Sequence, residues 1–283
     1  MKKEEYYLRL EKALDFVEAN LNKKISLAVI SQHAFSSLSH FHRIFYFMTG
    51  LTLKEYIRQR RLSKAGIELL STQKSILDIA LEAQFDNPES FNKAFKKNFG
   101  LAPSEFRKKK SEFPIMRKIE LQQNDSIAQP DTISLSFIYL PEQLIKGFKT
   151  RTTLENKQQT IDIPAFFGSV MQNNKLNLSD DQRIFGIYSD MTDDEEFDYT
   201  VGVLVEKNSM VNSEAYVYHL LPAMEYARFT VQGDPSKLAD AWRYIYGSWM
   251  PSSGRSRQTG LDFEVYYPEK TDIYIPMRPD DTK

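Results

Sequence analysis

The sequence predicts a multidomain chain in which an all-α domain is followed by an α+β domain. Three observations predict it. Residues 1–110 repeat their own hydrophobic pattern at a spacing of 50 residues. Apolar residues recur there at helical spacing, whereas from about residue 133 they fall into short alternating runs rich in Ile, Val, Phe and Tyr. The charge also reverses. Residues 1–110 hold 20 Lys and Arg against 12 Asp and Glu, and residues 111–283 hold 17 against 26, so a basic block precedes an acidic one.

Each copy of the repeat reads as helix, turn, helix. At a shift of 50 and without a gap, Leu27 meets Leu77, Val29 meets Ile79, Phe35 meets Phe85 and Phe41 meets Phe91. Arg43 then meets Lys93, Phe45 meets Phe95 and Gly50 meets Gly100. In the first copy Leu27, Ile30 and Ala34 form an apolar stripe, Phe35 and Ser36 interrupt it, and Ser37 caps a second helix that Gly50 ends. Phe41, Ile44 and Phe45 face inward in that helix, leaving Ser39, His40, His42 and Arg43 outward. In the second copy Asp86 or Asn87 is the cap and Pro88 sits in the first turn. Phe91, Ala94 and Phe95 face inward, and Glu89, Ser90, Asn92, Lys93, Lys96 and Lys97 outward. Between the copies LKEYIRQRRLSKAGIELL reads as one linking helix, held by Tyr56, Ile57, Ala65, Leu69 and Leu70.

Two such units on one chain have the geometry to meet double-stranded DNA. An α-helix fits the major groove, and successive major grooves on one face of the duplex lie about 34 Å apart. Lys and Arg at the outward positions supply attraction to phosphate. The alternative is a plain helical bundle with solvated charges. The stretches SSLSHFHRIF, GLTLKEYIRQRRLSKAGIELL and SILDIALEAQFDNPESFNKAFKKNFGLAPSEFRKKK resemble the AraC/XylS family of transcription regulators across the whole first domain. The resemblance implies one base-reading helix per unit, with Ser39, His40, His42 and Arg43 at one groove and Pro88, Glu89, Ser90, Asn92 and Lys93 at the next. Gln84 departs from the family pattern, standing where glycine is usual, and Lys93 replaces the more usual arginine.

Residues 111–132 read as a linker, with two prolines and a polar Gln/Asn/Asp stretch, and 133–283 as the second domain. ISLSFIYL is a strand ending at Pro141, a helix is expected around 161–173, and IFGIYSD and DYTVGVLVE are strands. AYVYHLL and MEYARFTVQ are expected to form a hairpin across Pro222-Ala223. A helix follows through Leu238, Ala241, Trp242, Ile245 and Tyr246, and LDFEVYYP and DIYIPM close the domain. A strand–helix–strand–strand order occurs twice, which predicts an antiparallel sheet with two helices on one face.

Glu264 stands out as a carboxylate inside an aromatic strand, and alternation puts Tyr266 on its face. Either that face is solvated or the carboxylate floors an aromatic site for a cation. FGIYSD, LPAMEYARFTVQGD, WRYIYGSWMPSSG, FEVYYP and IYIPM resemble the GyrI-like effector-binding domain. The resemblance implies a small-molecule effector, cationic or amphipathic, with Glu264 as main anchor and Tyr266, Asp272, Tyr274, Tyr188, Phe167 and Trp249 as its lining.

The remaining signals exclude other classes. With no cysteine there are no disulfides or thiolate metal sites, and the four histidines lack zinc-site spacing. No cofactor motif is present, and the acidic cluster of Asp190, Asp193, Asp194, Glu195, Glu196 and Asp198 lacks calcium-loop spacing, reading as a solvated loop. There is no signal peptide or membrane span, so a cytoplasmic protein is expected. The expected activity is ligand-controlled transcription regulation without catalysis, by activation with RNA polymerase as a partner, or by repression. The alternatives are a hydrolase using Glu264 and Tyr266, and a constitutive DNA binder whose second domain mediates protein contacts.

Overall fold

A computed structural model of the chain describes residues 3–109, 113–121, 129–173, 176, 183–209 and 215–279. Residues 111–112 and 122–128 of the expected linker lie outside the described residues. The chain divides into two compact units, one within residues 7–122 and the other chiefly within 123–283.

The first unit is helical: α1 Lys3–Ala19, α2 Leu27–His33, α3 Leu38–Thr49, α4 Leu53–Ser71, α5 Ile76–Glu82, α6 Pro88–Phe99 and α7 Pro103–Lys109. Its boundaries have local causes. Ser37 and Asn87 are N-caps, their side chains accepting from His40 N and Ser90 N. Gly50 and Gly100 end α3 and α6 in the left-handed conformation. Thr52 and Glu55 close a reciprocal capping box at the start of α4. Phe91, Phe95, Phe99, Phe106 and Phe113 pack with ring centres 4.5–5.6 Å apart, tilted or edge to face, around the second half. Phe113 lies within the expected linker. Residues 113–121 are a strap on the helical unit, with Met116 N donating to Ser63 Oγ and Lys118 paired with Asp15 at 2.5 Å.

The two helix-turn-helix units are not related by one gap-free shift. The second helices match at 50, but α2 and α5 match at 49, and the left-handed turn residues are Phe35 and Gln84. Burial fixes this register. Leu27 is 3% exposed and its supposed partner Leu77 48%, whereas Ile30 and Ile79 are both buried. The second turn carries one extra residue, so the pairings Leu27 with Leu77, Val29 with Ile79 and Phe35 with Phe85 are corrected.

The second unit holds one antiparallel sheet: β1 Ile133–Leu140, β2 Gln143–Thr153, β3 Ile184–Ser189, β4 Glu196–Val205, β5 Val217–Leu221, β6 Met224–Gln232, β7 Phe263–Tyr266 and β8 Lys270–Pro276. Its order is β1-β6-β8-β7-β3-β4-β2-β5. Helix α8, Gln159–Gln172, follows β2, and α9, Leu238–Tyr244, follows β6 and runs into a π-helical turn, Ile245–Trp249. The expected hairpin of β5 with β6 does not form. β5 pairs with β2, and β6 with β1 and β8. Each repeat is therefore strand, strand, helix, strand, strand, and each gives its first strand to the other repeat. Leu140-Pro141 and Leu221-Pro222 mark the two corners, where proline lacks the N–H a tight pairing would use.

The sheet has two distinct faces. Phe185, Phe263, Val265 and Tyr274 join Leu221 of β5 and Tyr226 of β6 in one apolar cluster. The other face carries Tyr199, Val201 and Phe197 beneath Phe166 and Phe167 of α8, and Glu264 beneath Trp242 of α9. Both helices therefore cover one face.

Candidate functional site

The helix α6 is an open polar surface. Glu89, Ser90, Asn92, Lys93, Lys96 and Lys97 are exposed and Pro88 is half-buried, while Phe91, Ala94 and Phe95 anchor the opposite side. The Asn87 cap leaves the first turn well formed, and Lys96 and Lys97 lie in the last turn, where cations suit the helix dipole. A major groove of B-form DNA is wide enough to admit an α-helix.

Helix α3 differs. Ser39 and His40 are half-buried, His42 is fully buried and Arg43 is 9% exposed. The expectation that His42 and Arg43 point outward is corrected. At 100° per residue His42 stands about 60° from Phe45, so it falls within the buried arc. Phe41, Phe45, Tyr46 and Phe47 further spread aromatic surface around the helix, and a helix apolar around most of its circumference is covered on most sides.

In the second unit Glu264 is buried at the centre of the sheet. Strand β7 pairs it with Gly186 of β3 and Ile273 of β8. Four neutral donors converge on its carboxylate. Trp242 Nε1 donates to Oε1 at 2.7 Å and Tyr188 hydroxyl at 3.3 Å, while Tyr266 hydroxyl donates to Oε2 at 2.6 Å and Tyr199 hydroxyl at 3.4 Å. Burial first, then the charge of Glu264, pushes the Tyr199 and Tyr266 phenols well above their ordinary pKa, so both stay protonated donors. Gly186 makes room for this ring of donors. A β-carbon there would lie 2.3 Å from the Tyr199 hydroxyl. Phe167 packs on Tyr266 with ring centres 4.9 Å apart, and Phe167, Tyr188 and Tyr266 are half-exposed, which makes these rings the rim above the carboxylate.

Two expected lining residues lie on the other face, and Trp249 stands on the Glu264 face but two strands away. Asp272 pairs with Val265 and Tyr274 with Phe263, so both are on the opposite face of the sheet from Glu264. There Asp272 accepts from Thr230 Oγ1 at 2.7 Å. Trp249 packs on Phe229 with ring centres 4.8 Å apart, and Phe229 sits across β8 from Glu264. The indole at the carboxylate is that of Trp242, with Tyr199 as a further donor. A signal for Trp242 did exist, because a buried indole N–H requires an acceptor. The acidic cluster is corrected in part. Glu195 and Asp198 are buried rather than solvated, and Asp198, in β4, is bound by Lys149 Nζ at 2.5 Å and Arg151 at 2.8 Å. Among the described residues no group of acids and histidines is arranged to hold a metal ion, and no helix is long and apolar enough to cross a membrane.

A duplicated helix-turn-helix with an exposed basic helix, joined to a sheet domain centred on a buried acid, defines a class: DNA-binding transcription regulators with an effector-type domain. Comparison with known proteins agrees. A helix-turn-helix domain model matches residues 30–109, and the model of Cass2, an integron-associated effector binding protein, matches residues 137–277. The transcriptional regulator Rob of Salmonella typhimurium is 30% identical over 278 residues, 91% of this chain and 89% of Rob. The right origin-binding protein of Escherichia coli K12 is 29% identical over 276 residues, 90% of this chain and 89% of that protein. An integron cassette protein from the mobile metagenome of Vibrio cholerae, at 21% identity and a TM-score of 0.42, covers 51% of this chain and 95% of its own. The chain belongs to the family of Rob, AraC-type transcription regulators carrying a GyrI-like domain.

Proposed function

We propose that the chain regulates transcription by docking α6 in a major groove of double-stranded DNA, with Ser39 and His40 of α3 serving the neighbouring groove. A small-molecule effector at Glu264 controls it, and RNA polymerase is the partner through which it activates. The observation that carries the DNA reading is the uninterrupted exposed face of α6. Lys93, Lys96 and Lys97 act on phosphate, and Ser90 and Asn92 reach base edges. Each lost phosphate contact flattens the slope of log affinity against log salt by about 0.9. Replacing the three lysines with Ala is therefore expected to weaken binding and flatten that slope, measured by fluorescence anisotropy across a salt series. Arg43→Ala is expected to leave the slope nearly unchanged, because Arg43 is buried. An unchanged slope in the triple variant overturns the assignment of α6.

The effector reading rests on the donor ring. A carboxylate offers about four acceptor positions, and four donors already occupy those of Glu264. A ligand that must hydrogen-bond the acid has to displace one of them. A permanent cation without N–H groups, such as a tetraalkylammonium or arylphosphonium ion, needs only the charge and the ring faces of Tyr188, Tyr266 and Phe167. Such cations are expected to outbind primary amines of equal apolar area. Glu264→Gln is expected to lower their affinity at least tenfold while leaving neutral aromatics almost unaffected, as read by Trp fluorescence or calorimetry. Equal loss for both kinds of ligand removes the charge role.

A further inference from the structure

Glycine is unfavourable inside a helix, because it frees the unfolded chain and offers no side chain to pack. Gly66 nevertheless lies well inside α4, the 19-residue helix that joins the two helix-turn-helix units. Its surroundings explain it. A β-carbon at Gly66 would lie 2.9 Å from Cε2 and 3.0 Å from Cζ of Phe113. That ring has little room to retreat, because Phe99 and Phe106 hold it with ring centres 5.2 and 4.7 Å away. The glycine is therefore the seat of a ring supplied from beyond α7.

From Phe113 the strap of residues 113–121 runs back along α4. Phe113 meets Gly66, Met116 N donates to Ser63 Oγ at 3.0 Å, Met116 O accepts from Arg60 Nη1, and the Ile119 backbone hydrogen-bonds to the Tyr56 hydroxyl. Strap numbers rise as helix numbers fall, so the strap is antiparallel to α4 from Gly66 to Tyr56, about 15 Å of helix. Its ends are anchored in different helix-turn-helix units. Phe113 packs on the core of the second. At the other end Lys118 pairs with Asp15 of α1, and Tyr56 and Arg60 both donate onward to Glu18 of α1. Helix α1 in turn stacks Phe16 on His33 of the first unit at 4.0 Å. Sharp kinks in helices gather at proline and at Gly/Ser pairs. Ser63 and Gly66 stand one turn apart in α4, and the strap covers both.

We propose that the strap is a positioning element for DNA binding, a brace that stiffens α4 at Gly66 and so fixes the distance and rotation between α3 and α6. This rests on the reading that those two helices meet neighbouring grooves. Helices held rigidly bind only a duplex whose grooves match their offset. Helices held loosely accept several offsets but must be ordered on each binding event, which weakens the best complex. The brace therefore makes groove spacing part of what the chain recognises.

The chain lacks cysteine, so spin labels can be placed at Gln32→Cys in α2 and Asn98→Cys in α6, exposed positions outside the proposed DNA contacts. In the full-length chain pulsed electron resonance is expected to give one narrow distance distribution. Phe113→Ala is expected to broaden it at least twofold. Ser63→Ala suits a helix and removes only the acceptor for Met116 N, and is expected to broaden it less. Gly66→Ala tests the sign. It should lower the melting temperature by displacing Phe113, and raise it once Phe113 is itself Ala. The DNA readout uses a duplex selected from a random library by the full-length chain, and the same duplex with one base pair inserted between the two contacted grooves. The insertion turns one groove by roughly 35° against the other. The unmodified chain should lose at least tenfold in affinity on insertion, and Phe113→Ala less than threefold. Distances that stay narrow in Phe113→Ala, an unchanged loss on insertion, or a Gly66→Ala that is stabilising with Phe113 present each overturn the brace. If Phe113→Ala does not fold, Ser63→Ala takes both readouts, and no change in either overturns the brace. An unmodified chain indifferent to the insertion overturns the two-groove reading instead, and the label distances still decide the brace.

Discussion

Gly186 and Glu264 face each other across the two central strands, and the pairing works because one of them has no side chain. Gly186→Ala would drive a β-carbon into the Tyr199 hydroxyl and the Tyr266 ring. It is expected to cost about 1–3 kcal/mol as an overpacked site and to weaken cation binding although Glu264 remains, by denaturant titration and calorimetry. Gln84 is a second residue whose identity conflicts with its backbone, at φ +62°. Gln84→Gly should raise stability by about 0.5–1 kcal/mol, since relief of left-handed strain exceeds the entropy that glycine adds to the unfolded chain. A lower melting temperature would show that the Gln84 bond to Asn22 O matters more. Glu264 was legible in the sequence because a charge inside an aromatic strand is rare enough to need a reason. Asp272 and Tyr274 were misplaced because the pairing of Glu264 with Ile273 is set by the sheet, and no local pattern carries register between strands. Trp242 was read as ordinary helix packing, since burial gives the same periodicity to a core residue and to a donor.

The linking helix α4 was legible almost to the residue, having a capping box at one end and an unbroken apolar stripe. The one-residue difference between the two turns was not, because Leu, Ile and Val next to the stripe produce matches at a shift of 50 as well as 49. Where a helix begins has measurable weight. Asn87→Ala should cost about 1 kcal/mol through loss of the bond to Ser90 N, seen as faster amide exchange in the first turn of α6. Helix α1 is tied to α4 by Glu18, which accepts from Arg60 Nη2 at 2.6 Å and from Tyr56 hydroxyl at 2.7 Å. Burial alone would raise the Glu18 pKa, but the bonds from Arg60 and Tyr56 outweigh it and hold the carboxyl below its ordinary value. Its contribution is therefore present above the unfolded-state pKa of about 4.3 and is lost as pH falls through the lower folded value. Acid titration of stability is expected to show a limb that Glu18→Gln flattens.

The two-domain plan was legible from the change of hydrophobic period near residue 133 and from the reversal of charge. The exchange of first strands between the two sheet repeats was not, because a Leu-Pro corner and a hairpin turn look alike until the partners of each strand are known. The exchange makes neither repeat complete alone. A fragment of residues 129–209 is expected to show no dispersed amide spectrum, whereas residues 129–279 should fold. A folded short fragment would mean that β1 can find another partner. The exchange also has a consequence in time. The inner edge of β1 is satisfied only by β6, about ninety residues further along. At ribosomal speeds of ~5–20 residues per second, an uncharged, sticky ribbon spends roughly 5–20 s outside the tunnel with neither margin matched. Synthesis of this chain thus passes through an interval in which misassociation between neighbouring nascent chains competes with maturation, and slowing elongation between residues 140 and 224 would lengthen it.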